Sequence, residues 1–174
     1  MTMDNPSDNG GTPYLLIPRG RQGLAPISLN MTMIYKVERR IEEIRIANPA
    51  SMPDLVTDFN LGFIQLGKMV ASIQLELAEA KMSLNEAKAV VLLDKVERIL
   101  AEKRISKSSV DIREAILALD PDVMNAQQRV HAIDACLTLL NNKLEAFEWA
   151  YQSVKKISDV QSRIPDIRPP VGYK

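Results

Sequence analysis

Little in these 174 residues can perform covalent chemistry. There is one cysteine, Cys136, so no disulfide can close within the chain, and a lone thiol fits a reducing compartment. There is one histidine, His131. One Cys and one His cannot build a zinc site from a single chain. With Gln128, not Glu, three residues before His131, the inward Glu-x-x-His pairs of di-iron bundles are absent as well. No Walker loop, no G-x-G-x-x-G after a strand and no G-x-S-x-G occurs. His131 sits beside Val130 and Cys136 beside Leu137, positions that suit a seam-edge imidazole and an inert thiol. Neither an enzyme nor a cofactor is expected.

Other scarcities narrow the class further. Aromatic residues make up 5% of the chain, and no apolar run approaches the ~20 residues a membrane span needs. The start, Met1-Thr2-Met3-Asp4, has neither the basic nor the apolar region of a secretory signal. A soluble, cytoplasmic protein is expected. Formal net charge is +0, from 22 basic and 22 acidic residues, which excludes a strongly basic nucleic-acid wrapper and an acidic solvating tail.

Glycine is scarce beyond the first 25 residues. There, Gly10, Gly11, Gly20 and Gly23 mingle with Pro6, Pro13, Pro18 and Pro26. Breakers at that density exclude regular structure, so residues 1–29 are expected to form an extended arm. The apolar run Tyr14, Leu15, Leu16 and Ile17 inside it points to a contact with a neighbouring subunit. Pro165, Pro169, Pro170 and Gly172 make residues 163–174 a second arm.

What the chain does have is helical periodicity. Ile34, Val37, Ile41 and Ile44 form one stripe and predict a helix over about 30–48, stopped by Asn48-Pro49. Ser51 and Asp54 offer a start signal, and the pattern then runs to about Arg104. Phe59, Phe63, Leu66, Val70, Ile73, Leu77, Ala80, Leu84, Ala87 and Val91 alternate spacings of four and three, a heptad seam. A second stripe, Leu75, Met82, Ala89 and Val96, implies packing on another side. After a break at 106–109, Ser108 with Asp111 predicts a short helix to Leu119. Asp120-Pro121-Asp122 starts a last helix reaching about Gln161, with a seam from Val123 through Ile133, Leu140 and Phe147 to Val154. The expected fold is all-α: a long antiparallel helical hairpin or coiled-coil bundle over 30–162, with extended arms at both ends.

Charge is spread unevenly. The two long helices are acidic on balance, whereas Arg98, Lys103, Arg104, Lys107 and Arg113 cluster at the bend and Lys155, Lys156, Arg163, Arg168 and Lys174 near the C-terminus. Clustered cations can track a phosphate backbone, and cations at helix C-termini also complement the helix dipole. Pro18-Arg19-Gly20-Arg21-Gln22-Gly23 is similar to a short arginine-glycine stretch of nucleic-acid arms.

Over residues 54–160 the order of elements resembles the UvsY-like recombination mediators of bacteriophages. The features that carry it are Glu79-Ala80-Lys81 and Lys88-Ala89 on the long helix, the serine-containing break, Arg113-Glu114-Ala115, the Asp120-Pro121-Asp122-Val123 corner and a closing helix ending in a basic patch. The resemblance implies a homo-oligomer that binds single-stranded DNA and helps load a RecA-type recombinase onto DNA coated with single-strand binding protein. Lys88, Arg98, Lys103, Arg104, Lys107 and Arg113 are the candidate phosphate contacts. The acidic long helix and the Pro-rich arms depart from the family and open a second reading, a structural subunit of a phage particle or other assembly whose arms clasp neighbours.

Overall fold

The computed structural model describes residues 13–45, 50–105 and 109–163. Its elements are strands β1 (Tyr14–Ile17) and β2 (Ile27–Asn30) and helices α1 (Thr32–Arg39), α2 (Met52–Val90), α3 (Val96–Glu102), α4 (Val110–Leu119) and α5 (Pro121–Arg163). A 3-10 turn occupies Glu42–Arg45, and a π-helical segment, Val91–Lys95, joins α2 to α3. The protein is mainly all-α, as its periodicity predicts, and the two-stranded sheet is the only one among the described residues. The chain divides into two compact units: one holds Met1–Met31 with Lys68–Asn141, the other Thr32–Gly67 with Asn142–Lys174.

In the second unit, α1, the start of α2 and the end of α5 share a core. Ile34, Val37, Leu55, Phe59, Leu66, Phe147 and Val154 are buried there. Gly62 permits the close approach: a Cβ at that position would lie 2.7 Å from the Phe147 ring and 3.0 Å from Val37 Cγ1. Lys143 on α5 binds both Glu38 oxygens, at 2.6 and 2.8 Å, and its Nζ stands 5.3 Å from the centre of the Tyr35 ring. Arg40 bridges to Glu43 at 3.1 Å and to Asp58.

In the first unit, Met69, Val70, Ile73, Leu77 and Ala80 of α2 and Val123, Ala126, Ile133 and Leu140 of α5 are buried. Val91, Val96 and Val123 form one cluster, with Leu84, Ala87, Leu100, Ile116 and Leu117 packed on it. The end of α2 therefore meets the start of α5 in this unit, and the start of α2 meets the end of α5 in the other. Both seams read from the sequence line these cores.

Several expectations need correction. Residues 14–17 are not an extended arm but a strand, paired antiparallel with 27–30 in the register Tyr14↔Asn30 to Ile17↔Ile27. The breakers Pro18, Gly20, Gly23 and Pro26 all fall between the strands, where they build the connection instead of interrupting a ladder; Gly23 takes φ 83°. The first helix ends at Arg39, and the chain tightens through i→i−3 bonds from Arg40 to Val37 and Ile41 to Glu38, both 3.1 Å. The cap of α4 is Ser109, whose hydroxyl accepts from the Ile112 N–H at 3.3 Å; Ser108, Asn48-Pro49 and the 164–174 arm lie outside the described residues.

The second stripe also breaks up. Leu75 and Met82 are 63% and 58% exposed, but Val96 is buried. Residues five apart on an α-helix point about 140° from each other. The π segment, closed by Val96 N–H to Val91 O, winds more residues into each turn and narrows that angle, so Val91 and Val96 enter one core.

Candidate nucleic-acid interface

The bend in the first unit is built on Asp120. One carboxylate oxygen accepts the Asp122 N–H at 3.0 Å and the Val123 N–H at 3.4 Å, capping α5, and the main-chain carbonyl accepts Met124 N–H at 2.9 Å. The other oxygen takes Lys95 Nζ at 2.7 Å, and Lys95 also reaches Asp122 at 3.3 Å. These bonds, that to Asp120 first, raise the Lys95 ammonium above its ordinary value. The Lys95 bond chiefly holds the Asp120 carboxyl below the usual carboxylate range. Lys95 thus ties the π segment to the start of α5. Its partners lie 25 and 27 residues away in sequence, so no local signal marks it.

Around this joint, Lys95, Arg98, Ile99, Ile116, Leu119, Asp120 and Pro121 line a shallow cleft of about 390 Å³. Arg98 is exposed, with Nε 3.8 Å from Glu102 Oε1. Lys103 closes α3, its N–H donating to Ile99 O at 3.0 Å. Arg104 follows in the left-handed conformation, φ 55°, and Ile105 N–H returns to Leu100 O at 2.9 Å. That is a helix-ending turn in which glycine or asparagine is the unstrained choice. Lys103, Arg104 and Arg113 are exposed and Lys88 on α2 is half-buried. Lys107 lies outside the described residues. Of the six candidate cations, five therefore fall in one unit within α2, α3, α4 and their connections. Glu97, Glu102, Asp111 and Glu114 are exposed among them, so the surface is mixed in charge.

The proposed subunit contact divides. Ile17 is fully buried within its own unit and Leu15 partly, whereas Tyr14 and Leu16 are 57% and 62% exposed. The arginine-glycine stretch is also partly spent inside the chain. Glu76, buried on α2, accepts the Gly20 N–H at 2.7 Å and pairs with Arg19 Nε at 3.3 Å. His131 is exposed and Cys136 half-buried, with burial pushing the thiol upward. No cluster of His, Cys, Asp or Glu among the described residues could hold a metal ion, and no described helix is long and apolar enough to cross a membrane.

Comparison of the chain with family models, curated protein sequences and solved structures gave no match.

Proposed function

We propose that this protein is a non-enzymatic, self-associating helical protein of the recombination-mediator type. It binds single-stranded DNA through the cations of the bend and helps a RecA-type recombinase load onto DNA coated by single-strand binding protein. The observation that carries this reading is Arg104. A long cation occupies a left-handed turn where a side chain costs roughly 1 kcal/mol and glycine would cost nothing. Strain held at an exposed position favours a use for the side chain itself. Lys103 precedes it directly and Arg98 lies about one and a half turns earlier on α3, and all three are exposed, a local cluster of cations of the kind that contacts phosphates.

The test is fluorescence anisotropy of a labelled single-stranded oligonucleotide titrated with the protein at low and moderate salt. Binding should weaken as salt rises. An Arg98→Glu, Arg104→Glu pair should weaken it for all sequences alike, because phosphate contacts carry no base information. No binding by the parent at low salt would overturn the reading.

A second reading, a structural subunit of a larger assembly, is favoured by exposed apolar side chains. Leu75, Met82 and Leu93 are 63%, 58% and 78% exposed, and Leu75 and Met82 stand two turns apart on one face of α2 that a neighbouring subunit could cover.

A further inference from the structure

On α2, within the first unit, Ala71, Leu75, Ala78, Met82, Asn85 and Ala89 alternate spacings of four and three, and all six are exposed. That is the spacing of a coiled-coil seam. It lies on the side of the helix away from Ile73, Leu77 and Ala80, which the chain buries in its own core. Leu75 and Met82 are its large apolar members, and the three alanines leave room for a second backbone. Each border of the seam carries charge of one sign. Lys81 and Lys88 stand one residue before Met82 and Ala89, on one edge; Glu79 and Glu86 stand one residue after Ala78 and Asn85, on the other. Lys81 and Glu86 are exposed, and neither has an ion-pair partner among the described residues. Five residues apart, they do not face each other along one helix.

We infer that α2 pairs along this seam with α2 of a second copy, parallel and in register, as a two-stranded coiled coil from Ala71 to Ala89. In that arrangement an edge residue faces the residue five later on the opposite edge of its partner. Lys81 of one copy therefore meets Glu86 of the other, and the two-fold symmetry makes the contact twice. One heptad earlier Gln74 faces Glu79, and one heptad later Lys88 faces the π segment at about Leu93, so no like charges meet across the edges. An antiparallel pairing would set like edge against like edge, glutamates against glutamates and lysines against lysines, so the charge pattern selects the parallel one. Asn85 meets its own copy across the axis, and a buried amide favours the register in which it finds a partner. The single like-charge meeting is Lys68 with its copy, one step before Ala71, and it closes the seam at that end. DNA is the poorer occupant, because Glu79 and Glu86 line one edge and would repel phosphate. The proposal rests on the self-association put forward above, whose mode it specifies, and not on DNA binding.

The experiment follows the full chain by light-scattering mass over a dilution series. Mass should rise with concentration to at least twice that of one chain. Lys81→Glu and Glu86→Lys should each lower the association constant about tenfold, and the double exchange should recover most of the loss. Lys68→Leu, which removes the like-charge meeting, should strengthen association. Circular dichroism of each variant confirms that it is helical. Orientation is read from single cysteines placed in a chain whose Cys136 is replaced by serine. Ala71→Cys and Ala89→Cys should each couple to its own copy under mild oxidation. In an antiparallel pairing centred on the same stretch, like positions at its ends would stand about 27 Å apart and neither would couple. A parent that stays monomeric at every concentration overturns both this proposal and the self-association it specifies. A parent that associates, but whose mass ignores the charge exchanges or whose end cysteines fail to couple, overturns the parallel seam alone.

Discussion

Arg104 sets stability against the proposed use of its side chain at a single position. Replacing it with glycine removes the Cβ from a left-handed backbone and should raise stability by about 1 kcal/mol in a denaturant titration. The same change removes one cation from the bend, so the proposed function predicts weaker single-strand binding from a more stable protein. Asp120 makes the opposite case, since two structural tasks rest on one carboxylate. Its folded form titrates below the usual carboxylate range, chiefly because Lys95 donates to it. A group depressed in this way contributes stability that is present above the unfolded value of about 3.9 and is lost as pH falls through the folded value. Asp120→Asn keeps acceptors for the Asp122 and Val123 N–H groups but gives up the charge. It should lower the thermal midpoint near neutral pH and flatten its fall in acid, while Asp120→Ala, which also loses the cap, should cost more. Equal midpoints for parent and Asp120→Asn at every pH would show the Lys95 pair to be without effect. The cap was legible in Asp120-Pro121-Asp122 because capping is local; the lysine was not, because the fold alone brings Lys95 across 25 residues.

At the scale of elements, the long helices were the most legible part. Alternating three- and four-residue spacings need no tertiary information, and Phe59, Leu66, Ile73, Ile133, Leu140 and Phe147 are all fully buried. The hairpin is hidden in the sequence because the number of prolines and glycines does not say where the breakers fall. Every breaker between Tyr14 and Asn30 lies in the connection, and the apolar run assigned to a neighbour gives Ile17 to its own core. The π segment was illegible because nothing in Val91-Leu92-Leu93-Asp94-Lys95 forbids an ordinary helix; only the joint burial of Val91 and Val96 reveals the phase change. Gly62 gives the sharpest prediction here. Alanine in an α-helix interior is worth about 1 kcal/mol over glycine, but its Cβ would press on the Phe147 ring and Val37. Overpacking of this kind costs about 1–3 kcal/mol, so Gly62→Ala should destabilise by roughly 1 kcal/mol net, measured by chemical unfolding. A gain in stability would mean that Phe147 can move aside.

For the molecule as a whole, charge composition is the governing number. With 22 basic and 22 acidic residues there is no long-range field to draw in nucleic acid, so any affinity must come from the local cluster. If Arg98, Lys103, Arg104 and Arg113 each neutralise a phosphate, the log–log salt dependence of single-strand binding should have a slope of about −3. A slope near zero would mean that these cations make no phosphate contacts. Neither the proposed DNA binding nor the proposed assembly role was legible at this scale. The candidate cations alternate with Glu97, Glu102, Asp111 and Glu114, and a mixed surface announces no partner by composition alone.

The bond from Gly20 to Glu76 has a consequence for time-resolved behaviour. Gly20 lies between strands, and the residues that follow it, Arg21 to Leu24, are exposed. Amides in such a stretch normally trade hydrogen with solvent rapidly. The Gly20 amide, donating to a buried carboxylate at 2.7 Å, can do so only when the hairpin lifts from α2. In a deuterium-exchange time course it should persist while its neighbours are lost, making this one proton a clock for the opening of the N-terminal hairpin.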